Sequence, residues 1–133
     1  MNKTILFFLA VTLMLTACGP STSGESEAAF CQALNSFEKA YETLLAVDAK
    51  NDQAGLESAR DDLLDAYADL TEAADDMRSV KLNDLELAIR NLQVTVGAAL
   101  GVSPADEAVQ GIQKAAGDVK EAYEELFNAN CAG

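Results

Sequence analysis

Histidine and tryptophan are both absent from this chain of 133 residues, and bases are scarce: nine Lys and Arg stand against 22 Asp and Glu, a formal charge of −13. Each shortage excludes something. Without histidine there is no Ser-His-Asp or Cys-His nucleophile pair, no imidazole-ligated haem and no histidine-bound zinc. The Glu-x-x-His motif of ferritin-type di-metal bundles is excluded for the same reason. Too little base argues against nucleic acid as a partner, because phosphate binding needs a positive face. The three cysteines include no C-x-x-C pair, so a dithiol redox motif is missing. Yet half the residues are apolar, which is incompatible with a disordered acidic tail.

The apolar residues begin early. Lys3 gives a positive start, and Ile5 to Ala17 then runs without charge for 13 residues. A helix across a bilayer needs about 20, so this run is too short to span. A positive start followed by a short apolar stretch is the pattern of a secretory signal. Leu15-Thr16-Ala17-Cys18 ends it: a leucine, two small residues and a cysteine. This segment resembles the bacterial lipobox, and the resemblance covers residues 1–18 alone.

It implies cleavage before Cys18 and diacylation of its sulfur. The mature protein would then be lipid-anchored on the extracytoplasmic face of the cell membrane, or at an outer membrane where the cell has one. Two or more acyl chains give stable anchoring, at about 0.8 kcal/mol per buried CH₂. Removing residues 1–17 takes away Lys3 and no acid, so the negative excess grows by one. Residues 18–27 then read as a lipidated cysteine and a flexible tether of Gly, Pro, Ser, Thr and Glu. Anionic lipid repels an acidic domain within a Debye length of about 8 Å, so the domain is expected near the bilayer but not lying on it.

From Ala28 the apolar period is helical. Phe30, Leu34, Phe37, Tyr41 and Leu44 step by four and three. Leu56, Ala59, Leu63, Tyr67, Leu70, Ala74 and Met77 repeat the pattern. Leu82, Leu85, Ile89, Leu92, Val96 and Leu100 form a third stripe, and Ala105, Ile112, Val119, Tyr123 and Leu126 a fourth. One apolar stripe opposite charge is what a core-facing helix requires. The pattern predicts helices over about 28–47, 53–77, 83–100 and 104–129. Asn83, with Glu86 three residues on, reads as a cap for the third, flanked by Leu82 and Leu87 at staple positions. Short connections make neighbours antiparallel. The expected fold is all-α: an acidic, antiparallel up-down-up-down four-helix bundle over residues 28–133. A three-helix domain with one long helix bent at residues 78–82 is the alternative.

Topology can be tested by two residues. With Cys18 lipidated, Cys31 and Cys131 are the only thiols left, and outside the cytoplasm they can pair in one way. In this bundle the start of helix 1 and the end of helix 4 share one end. Each cysteine sits about 100° from its stripe centre, on matching flanks. A structural disulfide is expected, closing a loop of about 100 residues.

Candidate chemistry is thin. Asp61, Asp65, Asp69, Glu72 and Asp76 line one face of helix 2, and carboxylates are oxygen ligands for a divalent cation. Their simplest role is a solvated face, since no loop has EF-hand spacing and no metal site is assigned. No pair of acids is singled out by spacing as a glycosidase pair would be, so no catalytic residue and no cofactor is expected. Helix 3 bears a second apolar face of Leu87, Val94 and Ala98. Burial of a wide arc between two neighbouring helices is the commoner arrangement for such residues. A surface for a partner is the other. The loops at Asn51, Asp52, Val102 and Ser103 point away from the tether and are candidate recognition surface. The leading expectation is a non-catalytic interaction module of the cell envelope, anchored at Cys18 and bound to another envelope or extracellular protein. The alternatives are a small-ligand or divalent-cation-binding lipoprotein and, third, an enzyme.

Overall fold

A computed structural model of the chain describes residues 23–77, 79–100 and 106–133. The described residues form four helices: α1 (Ser23–Ala46), α2 (Gln53–Asp75), α3 (Asn83–Ala99) and α4 (Asp106–Asn130). Each neighbour runs antiparallel to the last, closing the up-down-up-down bundle. No described residue is in a strand. The long-helix alternative falls, because α2 ends at Asp75 and α3 starts at Asn83.

The four stripes meet in one core. Phe30, Leu34, Phe37, Leu70, Val96 and Val119 lose all contact with solvent. Packing is closest within the α1–α2 and α3–α4 hairpins. Small residues permit this. Ala33 and Ala73 flank one hairpin groove, and Ala88 and Ala122 the other. At Gly111 a methyl group would stand 3.2 Å from the Thr95 Cγ2 of the facing helix. The α1–α4 seam is wider and carries specific ties instead. Phe37 and Tyr123 stack with ring centroids 6.2 Å apart, and the buried Tyr41 hydroxyl donates to the Ala116 carbonyl at 2.8 Å. The Lys50 ammonium pairs with Asp106 at one end of the seam. At the other end Cys31 and Cys131 are disulfide-bonded, with Cα atoms 5.8 Å apart.

Two local expectations are corrected. Residues 23–27, assigned to a flexible tether, are the first turns of α1. Ser26 lies four residues before Phe30 and continues its stripe, so it is buried despite being polar. Extending a helix already anchored by Phe30 and Leu34 needs no new nucleus, and Glu25 favours the positive end of the dipole. At α3 the cap position is Leu82, with no side-chain bond, and Asn83 is already helical. The Leu82 carbonyl accepts from the Glu86 N–H at 2.8 Å, and partial burial of Leu82 against the core sets the entry. Leu87 points outward, so the staple does not form.

Candidate functional site

The second apolar face of α3 is on the surface. Leu87 is 70% exposed and Val94 72%, the two highest values among the exposed large apolar side chains. Ala98 is exposed as well. The wide-arc burial expected of these residues does not occur, because α3 packs closely on α4 alone and its contact with α2 is slight. One flank of α3 therefore stays uncovered.

That flank borders a groove. Ala88 on α3 and Ala122 on α4 lie at its base, and the two alanines leave a channel between the helix ridges. The channel is open to solvent and has a volume of about 810 Å³. Leu87 and Val94 stand along its α3 edge, seven residues and hence about 10 Å apart. The α4 wall is acidic, with Asp118, Glu121 and Glu125 at successive turns. The α3 wall is mixed: Asp84 and Asn91 beside Arg90, whose guanidinium pairs with Glu86. Lys114 lies 3.6 Å from Asp118. Among the described residues, no ion pair engages Asp84, Glu121 or Glu125. The α4 wall escaped the sequence reading because it depends on how α4 is rotated against α3. Its available signal was the i, i+3, i+7 spacing of the three acids around Ala122.

The remaining candidates sit elsewhere. Asn51 and Asp52 are exposed in the first loop, but both side chains serve the loop itself. The Asn51 amide donates to Asp48 at 2.7 Å, and Asp52 caps α2 by accepting from the Gly55 N–H at 2.8 Å. The Asn51 amide, with the backbone N–H of Lys50, holds the Asp48 carboxyl below the usual range. Asp61, Asp65, Asp69 and Glu72 share an exposed face of α2, and Asp76, also exposed, caps its end, so the five spread over about 22 Å. Asp61 is drawn aside by Arg60 at 2.6 Å. Among the described residues no three acids or cysteines gather into a metal-binding group. Cys18, Val102 and Ser103 lie outside the described residues.

No protein family, characterised protein or solved structure matches the chain.

A second groove, of about 310 Å³, runs between α1 and α4 past Tyr41 and Tyr123. Lys120 lies 3.6 Å from Glu124 there, and the Tyr41 hydroxyl is taken up by the Ala116 carbonyl. Burial, a hydrogen bond to the Glu38 side chain and the nearby charges of Glu38, Glu42 and Glu124 push the Tyr123 phenol up to about 12. Burial raises Tyr41 and Tyr67 too. All three tyrosines of the chain thus hold their protons above the ordinary 10. The folded state binds these protons where the unfolded chain has lost them. The stability they confer is complete below pH 10 and declines as pH climbs towards about 12. An absorbance titration of tyrosinate should show no phenol with a midpoint at 10 while the bundle is folded. A normal midpoint for Tyr41 or Tyr123 in the native protein would contradict the packing of this seam.

Proposed function

We propose that the chain is a membrane-anchored, extracytoplasmic lipoprotein whose bundle is a non-catalytic interaction module of the cell envelope, docking a partner protein through the α3–α4 groove. The observation that carries the docking is the exposure of Leu87 and Val94, 70% and 72%, along one groove. Leaving two large apolar side chains in water forfeits their burial, about 1.5–3 kcal/mol each, which a partner recovers. The lipobox residues Leu15-Thr16-Ala17-Cys18 support the anchor. Residues 19–22 alone separate Cys18 from the start of α1, so at full stretch α1 begins within about 18 Å of the lipidated cysteine.

The groove volume lies in the range of small-ligand sites, which favours a ligand-binding lipoprotein as a second reading. Such sites bury most of their ligand. Here Leu87 and Val94 stand mostly in solvent, an arrangement that suits a protein surface better.

The test uses a photo-cross-linking residue at Asn91, on the groove wall, in intact membranes. Val94→Lys should abolish the cross-linked product while changing stability by less than about 0.5 kcal/mol, as an exposed substitution does. Cys18→Ala should move the chain out of the membrane fraction or leave it unprocessed. A cross-link that survives Val94→Lys overturns the docking site, and normal processing with unchanged fractionation of Cys18→Ala overturns the anchor.

A further inference from the structure

We infer that the partner element seated in the α3–α4 groove is a basic amphipathic helix, with Lys or Arg on the flank that faces α4; this rests on the docking reading above. Three features converge on it. The first is shape. A third helix packs on two antiparallel helices by laying its ridge in their groove, and small residues at the base let its axis approach. Ala88 and Ala122 supply that base. Leu87 and Val94, two turns apart on one edge, match apolar positions recurring at i and i+7 on a partner helix. The stretch from Asp84 to Val94 is about 15 Å, so three to four turns of partner suffice.

The second feature is charge. Glu121 and Glu125 on the α4 wall, and Asp84 across the groove, make no ion pair among the described residues. Like carboxylates spaced along one wall repel, and cations laid against them remove that repulsion. Lys and Arg suit the place, because their stems cover apolar surface while the charged head reaches the rim. The third feature is exclusion. A second copy of the chain would bring its own acidic wall against this one. An anionic lipid surface would meet the same repulsion. A neutral or acidic helix would leave the carboxylates partly desolvated without a counter-charge, at a cost to affinity.

The full chain, purified from membranes and held in nanodiscs of neutral lipid, is titrated with two labelled helical peptides of 16 residues, empty nanodiscs serving as the blank. Both carry leucines at i, i+3/i+4 and i+7; one has lysines on its polar face, the other glutamates. The lysine peptide is expected to bind, and Val94→Lys to abolish its binding. Combined Asp118→Lys, Glu121→Lys and Glu125→Lys should weaken it at least about tenfold, with affinity falling as salt rises. The same triple variant should improve binding of the glutamate peptide. If the glutamate peptide binds the unmodified chain as well as the lysine peptide, the inference fails while a docking groove remains. Failure of both peptides, or self-association of the chain through Val94, also overturns it. The cross-linking result at Asn91 judges the docking reading separately.

Discussion

Replacing both Cys31 and Cys131 by Ala should lower the unfolding free energy by about 4–5 kcal/mol, read by urea denaturation followed by helical circular dichroism. The bond joins residues 100 apart, so the unfolded chain it constrains is nearly the whole bundle. In the chain-entropy picture that loop length sets the magnitude. A single domain is commonly stable by about 5–15 kcal/mol, so the loss removes at least about a quarter of the total. At about 4 °C per kcal/mol, the melting temperature should fall by 15 °C or more. The urea slope should rise as well, because an uncrosslinked unfolded chain exposes more surface. A loss under about 1 kcal/mol would mean that the unfolded chain keeps the two ends of the bundle close even without the bond.

Phe37→Ala is the second large effect, with an expected cost of about 3–5 kcal/mol. Phe37 is wholly buried and stacks on Tyr123 across the wide α1–α4 seam. Truncation there leaves a cavity that the surrounding helices cannot fill without breaking their hairpin packing. A further readout accompanies the stability change. Opening the seam hydrates the Tyr123 phenol, whose midpoint should move from about 12 back towards 10. Leu87→Ala and Val94→Ala, on exposed ground, should each change stability by less than about 0.5 kcal/mol. Equal losses at Phe37 and Val94 would contradict the division between core and groove.

The order of these elements was legible because each helix writes its own period. Phe30, Leu34, Phe37, Tyr41 and Leu44 are buried as their spacing demands. The cysteine pairing followed from setting Cys18 aside as the lipidated residue, with topology and flank angles in agreement. What period cannot convey is the distance between helices. The alanines at 33, 73, 88 and 122 are small enough to be either surface or close-contact residues, and only the hairpins decide. The same ambiguity hid half of the candidate site. Leu87 and Val94 were visible as a second face of α3, but whether α2 covered them depended on how far α2 stands away. The acids opposite belong to a helix whose rotation the sequence leaves open. At Ser26, composition misled: a serine in a Ser- and Gly-rich stretch reads as linker, while its register with Phe30 makes it core.

The wide α1–α4 seam gives the molecule a spine. Its two close-packed hairpins are like the boards of a book, fastened along one edge by a disulfide, an aromatic stack, a buried hydroxyl and an ion pair. The opposite edge, where α2 faces α3, has the fewest contacts of any neighbouring pair. Transient opening therefore starts at that fore-edge and swings about the spine. Amide hydrogens on the facing sides of α2 and α3 should exchange sooner than those of α1 and α4. The α3–α4 groove rides on a single board, so it keeps its shape while the book is ajar.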